Sequence, residues 1–548
     1  MGVGRLPAVS QGWNYAEVWE AVADRLAQAP AQRHDGSVWT WQQFDRRADA
    51  LAAYLLQRGA VEQDKVSQYL YNGPEYLESV FAAFKAGLAV VNTNYRYTRD
   101  ELTYLWDDAD VVAVVFHGTF SDRCAAVRAR LPRINTWLWV DDGASPCPRW
   151  ATPYEQVAAP WPGRTEARWG RSGDHLLLLY TGGTTGMPKG VMWRQDDLYR
   201  TLDRLSRRTQ PPPADVTELA ARLDRPGPSS LPAAPLMHGT GLVNALTTLS
   251  AGGSIVTLAE RRFNPVELLD TVERDGVKSI TIVGDAFGRP ILQALDAEPS
   301  RWDISALRVI ISSGVMWSKA TKDGLLRHNN RLILVDTLGS SEAMGMAVSS
   351  TTSDDAAASG TFRLAATTRV ISERGEDVAP GSGEVGLVAM SGPMPLGYYK
   401  DPDKTATTFR VIDGVRYTVS GDWATVEADG TARLLGRGSQ CINTGGEKVY
   451  PEEVEEVLKL HPAVADAAVV GVPDERFGEA VQALVEPASA TSIDEAELIA
   501  HVKDRLAAYK APKRVVTVSS VNRAPNGKLD YNALKRAALR SLDSTTRQ

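Results

Sequence analysis

The residues best suited to chemistry lie in one run, Tyr180-Thr181-Gly182-Gly183-Thr184-Thr185-Gly186-Met187-Pro188-Lys189-Gly190. Glycines let backbone N–H groups converge on an anion and supply backbone conformations that side chains would forbid. The hydroxyls of Thr181, Thr184 and Thr185 add donors, and Lys189 adds a positive charge. The composition predicts a loop wrapped around the phosphates of a nucleotide. It is not the P-loop pattern, because Met187 and Pro188 separate Gly186 from Lys189, and Gly190 follows the lysine.

Four further stretches carry polar residues at turns. Asp336-Thr337-Leu338-Gly339-Ser340-Ser341-Glu342 ends a predicted strand. A carboxylate there, beside a phosphate loop, suits Mg²⁺, a hard cation that takes oxygen ligands; alone, Glu342 reads equally as a solvated turn residue. Ser420-Gly421-Asp422 puts an aspartate on a turn, where it can accept both hydroxyls of a ribose or simply close a β-turn. Gly436-Arg437-Gly438-Ser439 leads to Gly445-Gly446-Glu447-Lys448, where two adjacent glycines permit close approach of a thin ligand, or form a plain glycine hairpin. Arg523-Ala524-Pro525-Asn526-Gly527-Lys528 offers a lysine on a turn near the end of the chain.

These residues need a scaffold, and the hydrophobic pattern supplies one. Residues 15–58 read as two amphipathic helices around a short hairpin at 36–40. Strands at 66–71, 87–91 and 111–116 alternate with helices at 74–86 and 98–109. After the phosphate loop, helices at 238–250, 265–275 and 319–328 alternate with strands at 254–258, 279–283, 307–313 and 331–335. This rhythm predicts an α/β fold built on parallel sheets. Residues 146–171 and 210–235, rich in proline, read as irregular connections. From 370 to 435 short extended segments between Gly- and Asp-rich turns predict a small β subdomain. A last α/β segment runs from about 442, with helices at 451–460 and 493–506 and strands at 464–470, 481–486 and 515–521.

The chain has 548 residues, 43% hydrophobic and 23% charged, too long for a single core. A net charge of −7 without a basic run argues against nucleic acid as partner. Three cysteines, Cys124, Cys147 and Cys441, have neither metal nor disulfide spacing, which points to a reducing compartment. The N-terminus lacks a signal-peptide core and no apolar run is long enough to span a bilayer, so a cytoplasmic protein is the expectation. Peripheral membrane contact and a homodimer stay open.

In order and spacing, the five stretches together resemble the adenylate-forming superfamily, which includes acyl-CoA synthetases, luciferases and peptide-synthetase adenylation domains. The resemblance extends from about residue 15 to residue 528. It implies a large N-terminal domain, residues 1–436, made of parallel α/β subdomains and a small β subdomain. A small mobile C-terminal α+β domain, residues 437–548, completes the chain. By position, the resemblance makes 181–189 the loop over the β- and γ-phosphates of ATP. It sets Gly314-Val315-Met316 and Asp336 at the nucleotide. Ser341 and Glu342 become the pair at the α-phosphate and Mg²⁺, and Asp422 and Arg437 the ribose ligands. Lys528 becomes the lysine bridging carboxylate and α-phosphate, and Gly445-Gly446 the wall of the pantetheine tunnel. His238 falls beside the acyl carboxylate, and Val283, Gly284, Asp285 and Phe287 line the acyl pocket. Two positions depart from the superfamily pattern. Leu338 stands where an aromatic usually stacks on adenine, and Ser439 stands at the hinge position usually held by Asp or Lys.

The implied reaction joins a carboxylic acid to ATP, giving acyl-AMP, and then transfers the acyl group to coenzyme A. The phosphate loop, the Gly339-Ser340-Ser341-Glu342 and Gly436-Arg437-Gly438-Ser439 stretches, and Gly284-Asp285-Ala286 followed by Arg289-Pro290, look like the bacterial ligases that activate steroid side chains. A medium- or long-chain fatty acid is the rival substrate. An acyl-AMP ligase without CoA, and a non-enzymatic lipid-binding module, are the other readings.

Overall fold

A computed structural model of the chain describes residues 12–545, except 160, 184–185, 207–210, 315–316, 355–360, 438–439, 441, 445–446, 475–477, 489–492, 507, 525–526 and 528. Three sheets organise these residues. The first runs, from edge to edge, through strands Gly397–Tyr398, Gly186–Arg194, Leu176–Gly183, Ala89–Asn92, Lys65–Tyr69, Val111–His117, Thr136–Val140 and Thr152–Pro153. It is parallel from Leu176–Gly183 to Thr152–Pro153, and antiparallel at the other edge. Its strands are apolar on both faces because both are covered. Leu177 and Leu179 join one apolar cluster with Trp19, Phe81 and Phe84, while Leu178 and Tyr180 join a second with Val114 and Phe116.

The second sheet has a parallel half of strands Pro30–His34, Ser254–Thr257, Ser229–Pro232, Ser279–Ile282, Val309–Ser313 and Ile333–Leu338. It continues antiparallel through Ala347–Thr351, Thr361–Leu364, Ala432–Arg437, Val415–Val426, Gly386–Met390 and Thr368–Ile371. The β region expected at 370–435 is present, but it is hydrogen-bonded into this larger sheet through Thr361–Leu364.

The expectation of an irregular run over 210–235 is corrected. It holds the helix Val216–Arg222 and the strand Ser229–Pro232, which lies inside the sheet between Ser254–Thr257 and Ser279–Ile282. Four residues flanked by prolines carry too little periodicity to signal a strand, and Pro232 is tolerated at the strand end. The third sheet, of Glu447–Val449, Ile442–Thr444, Gly478–Pro487, Val464–Asp474 and Arg514–Thr517, has its own apolar clusters on each face. Helices Pro451–Lys459 and Glu495–Lys503 cover one face and Tyr531–Thr545 the other.

Helix ends follow local chemistry. Thr98 and Glu101 form a reciprocal capping box at Arg99–Asp108. Asn264 caps Pro265–Asp275, which closes on Gly276 in the left-handed region (φ 59°). A buried ion cluster ties the first three long helices together: Lys85 lies 2.5 Å from Glu20, 2.8 Å from Asp45 and 2.9 Å from Asp49. With one lysine facing three carboxylates, burial pushes Asp45 and Asp49 up, while Arg171 and Lys85 hold Glu20 down.

Candidate active site

The predicted phosphate loop is the turn of a hairpin. Strands Leu176–Gly183 and Gly186–Arg194 pair across it, Thr181 opposite Lys189 and Gly183 opposite Gly186. Thr184 and Thr185, at its tip, lie outside the described residues. The hairpin needs Gly190, because a Cβ there would sit 2.6 Å from the Tyr180 ring. That ring is anchored in turn, its hydroxyl donating to Asp108 Oδ2 at 2.6 Å.

One buried side chain that sequence reasoning missed fastens the hairpin to the next element. Asn92 accepts from the Tyr180 backbone N–H at 2.7 Å, and its amide donates to Tyr180 O at 3.0 Å and Met237 O at 2.6 Å. The first residue of the phosphate run and the residue before His238 therefore hang from one amide. His238 is the N-cap of helix Gly239–Ser250. That helix starts beside the next predicted site, since a Cβ on Gly239 would lie 3.8 Å from Ser341 Oγ. A helix N-terminus favours negative charge through its unpaired N–H groups and dipole.

Ser341 and Glu342 are held from three sides. Trp193, on the hairpin's outgoing strand, donates to Ser341 O at 2.8 Å. Thr418 donates to Glu342 O at 3.3 Å. Tyr398 donates to Glu342 Oε1 at 2.7 Å, and its strand pairs with the hairpin, Tyr398 opposite Val191. Tyr398 is a second residue that sequence reasoning missed; only its position on a short edge strand beside the hairpin reveals it. Lys189 forms an ion pair with Asp401, the N-cap of helix Pro402–Thr408, and holds that carboxyl below its usual range. The cation expected to meet phosphates is thus matched by a carboxylate.

The predicted adenine and acyl residues converge on the C-terminal ends of three adjacent strands. Asp336 lies opposite Ser312, whose Oγ accepts from Gly284 N at 2.9 Å. Gly314 takes φ 93°, and a Cβ there would touch Val283 Cγ1 at 3.8 Å. Val315 and Met316 lie outside the described residues. Asp336 is buried and ion-paired with Lys322. Burial outweighs the lysine and pushes its carboxyl up to about 6, with Glu456 of the C-terminal segment adding to the rise. Asp285 starts the helix Asp285–Ala297 and accepts from Ser318 N at 3.2 Å and Ser318 Oγ at 3.0 Å. Phe287 turns into the sheet's core, its ring 4.6 Å from that of Phe263. The sequence reading had no helix here, because Gly284, Gly288 and Pro290 masked it.

The turn expected at Ser420-Gly421-Asp422 is corrected: the three residues lie inside the strand Val415–Val426, where Gly421 takes φ 90°, and the buried Asp422 accepts from Ser420 Oγ at 2.6 Å. It lies directly opposite Arg437 on the neighbouring strand, so the two predicted ribose ligands share one register. The Arg437 side chain, Gly445, Gly446 and Lys528 lie outside the described residues. Gly436 takes φ 114°, and a Cβ there would fall 2.1 Å from Glu452 Oε2.

Among the described residues no group of three or more His, Cys, Asp or Glu is placed to hold a metal ion. A lone, oriented Glu342 suits Mg²⁺, which takes one or two protein carboxylates and fills the rest of its octahedron with phosphate oxygens and water. The arrangement as a whole brings together a glycine hairpin, a helix N-terminus, a positioned carboxylate and a buried aspartate. Sites at the carboxyl ends of parallel strands are where open α/β sheets bind nucleotides.

Comparison with known proteins agrees with this geometry. Residues 19–399 match the family described as AMP-binding enzyme, and residues 453–528 match the AMP-binding enzyme C-terminal domain. A medium/long-chain-fatty-acid–CoA/3-oxocholest-4-en-26-oate–CoA ligase of Mycolicibacterium smegmatis is 40% identical, covering 95% of this chain and 96% of its own. A 3-oxocholest-4-en-26-oate–CoA ligase of Rhodococcus rhodochrous is 39% identical, covering 95% of each. The ATP-bound crystal structure of MatB from Rhodopseudomonas palustris superposes with a TM-score of 0.78 at 27% identity, covering 96% of this chain and 99% of MatB. The chain belongs to the AMP-binding enzyme family, with its large N-terminal and small C-terminal α/β domains. Within that family it is an AMP-forming acid–thiol ligase that uses a carboxylic acid, ATP and coenzyme A. Among the described residues no helix is long and apolar enough to cross a membrane.

Proposed function

We propose that the chain activates a steroid side-chain carboxylic acid as its CoA thioester, in two half-reactions at one acyl site. The observation that carries this reading is the joint placement of the 180–190 hairpin, the His238 helix start, Ser341-Glu342 and Asp422. The 40% identity to a relative named for 3-oxocholest-4-en-26-oate supports the steroid class. The same relative's name includes medium- and long-chain fatty acids, which keeps these as the second reading.

In the first half-reaction a carboxylate oxygen attacks the α-phosphorus of ATP. The bond to the β-phosphate bridging oxygen breaks, leaving acyl-AMP and pyrophosphate. Two anions must meet, so the enzyme's task is to hold them in line and neutralise crowded oxygens. The 181–189 hairpin holds the departing pyrophosphate, with Lys189 exchanging Asp401 for phosphate. Asp422 and Arg437 hold the ribose, and Gly314-Val315-Met316 with Asp336 border the adenine. His238 and the start of its helix orient the acyl carboxylate, with Val283, Gly284 and Asp285 at the acyl side. Lys528 bridges carboxylate and α-phosphate. Glu342, steadied by Tyr398, would hold Mg²⁺, which when bound supplies positive charge to the phosphate oxygens. In the second half-reaction the CoA sulfur, its proton lost, attacks the acyl carbon, the bond from that carbon to the bridging anhydride oxygen breaks, and AMP leaves with that oxygen. Gly445-Gly446 line the pantetheine path.

Residues 437–548 form the domain that turns about Gly436 between the two half-reactions. The protein works in the cytoplasm. The test is acid-dependent pyrophosphate release, followed by CoA-ester formation, across a panel of steroid side-chain acids and C8 to C18 fatty acids. A kcat/KM for the steroid acids at least about 10-fold above the best fatty acid, about 1.4 kcal/mol, is expected. A preference for fatty acids would replace the steroid reading. Acyl-AMP accumulation without CoA ester would replace the ligase reading of the second step.

A further inference from the structure

Arg289 has no part in the chemistry above, yet it reaches from the acyl-site helix to the C-terminal domain. Its guanidinium donates to the carbonyl of Ala465, and its other terminal nitrogen lies 3.6 Å from Asp285. Ala465 belongs to strand Val464–Asp474, and the next residue is the anchor of a second arginine. Arg523 grips Asp466 with two bonds, 2.6 Å to Oδ2 and 2.9 Å to Oδ1, and donates to Ala467 O at 3.1 Å. The same guanidinium donates to Gly527 O at 3.1 Å. That carbonyl belongs to the peptide joining Gly527 to Lys528. The turn is drawn together by Gly527 N donating to Ala524 O at 2.7 Å, with Gly527 at φ 70°.

Tyr531, three residues beyond Lys528, is fastened to the same strand farther along. Tyr531 donates to Glu455 Oε1 at 3.1 Å, and that carboxylate also accepts from Val469 N at 2.9 Å. Arg523 thus ties the residue before Lys528 to the start of the strand Val464–Asp474, which Arg289 holds, while Tyr531 is tied through Glu455 to Val469 in the middle of the same strand. Charge-assisted bonds from a planar guanidinium fix direction as well as distance, which a lysine in either place would not reproduce.

We propose that Arg289 and Arg523 act in series as positioning residues for adenylation. Arg289 seats the start of strand Val464–Asp474 on the acyl-site helix, and Arg523 ties the Gly527 carbonyl, one residue before Lys528, to that same point. The acyl wall and Gly527, the residue next to the adenylating lysine, are thus linked through Asp285, Arg289, Ala465, Asp466 and Arg523. Neither arginine touches the reacting atoms. The proposal rests on the adenylating role assigned to Lys528.

The experiment measures two half-reactions in the full-length enzyme: acid-dependent pyrophosphate release, and CoA-ester formation from supplied acyl-AMP. Displacing a catalytic group by about 1 Å costs on the order of 100-fold. Arg523→Gln is expected to lower pyrophosphate release by about that factor, and Arg289→Gln by about 10-fold, both in kcat more than in KM for ATP. Conversion of supplied acyl-AMP stays within about 2-fold of the parent, and Arg523→Lys recovers part of the loss. The Arg289 side chain is about one-third exposed (30%), so Arg289→Gln keeps the parent's thermal transition and tests the idea even if Arg523→Gln folds poorly. Unchanged pyrophosphate release in Arg289→Gln, or equal losses in both half-reactions, overturns the proposal. Lys528→Ala is measured alongside: if it too retains pyrophosphate release, the role of Lys528 fails, a result distinct from failure of the arginine relay.

Discussion

Asn92→Asp is the sharpest perturbation of this site, because it changes one atom type and almost no volume. The native amide donates to Tyr180 O and Met237 O and accepts from Tyr180 N, and the residue is 4% exposed. An ionised aspartate keeps the accepted bond but turns an oxygen toward two carbonyls. Each buried acceptor left without a donor costs about 1–3 kcal/mol, so the loss is about 2–6 kcal/mol for the pair. The carboxyl can recover one donor by taking a proton. The variant's folded state then binds a proton that its unfolded state releases near the usual aspartate pKa of about 3.9. Its deficit should accordingly shrink as the pH falls from 7 toward 5. Denaturant unfolding at pH 5 and 7 reads the stability. Steady-state pyrophosphate release reads the site, where KM for ATP and for the acid should rise together, since Thr181 and His238 both follow the displaced carbonyls. A variant within about 0.5 kcal/mol of the parent at pH 7, with both KM values unchanged, would show that Asn92 does not link the hairpin to the His238 turn.

Tyr398→Phe removes the hydroxyl holding Glu342 Oε1; pyrophosphate release should fall about 5- to 10-fold and its Mg²⁺ requirement should rise, and parent-like Mg²⁺ titration would contradict the role of Tyr398. Gly436→Ala places a side chain at φ 114°, which should cost about 1–3 kcal/mol in denaturant unfolding; a neutral result would remove strain from the account of that joint. Asp336 is pushed up to about 6 in the folded protein, above its unfolded value of about 3.9, so the folded state holds the extra proton between those values. Stability at this group is therefore lost as pH rises from about 4 to 6, and Asp336→Asn should flatten that part of the stability-against-pH curve; an unchanged slope would place the raised carboxyl elsewhere. Gly446→Trp should stall turnover at acyl-AMP, and normal CoA-ester output from that variant would exclude a pantetheine path there.

Much of this molecule is legible along the chain because much of it is local. The glycine–threonine run, the strand-end Glu342 and the alternating strands and helices each follow from a few adjacent residues, whereas Asp422, read on a turn, lies inside a strand. Short-range backbone geometry and hydrophobic period determine such features. Tertiary structure alone decided which of them meet. The strand Ser229–Pro232 is invisible between prolines and exists because two neighbouring strands leave it a place in the sheet. Asn92 and Tyr398 carry no motif, and their importance comes from pairing partners 88, 145 and 56 residues away. The ion pair of Lys189 with Asp401 spans 212 positions, and the contact of Arg289 with Ala465 spans 176. Hydrogen bonds and ion pairs act over a few ångströms in space and take no account of distance along the chain. The sequence by itself thus determined which chemistry is present, and only the folded structure decided which side chains hold it in place.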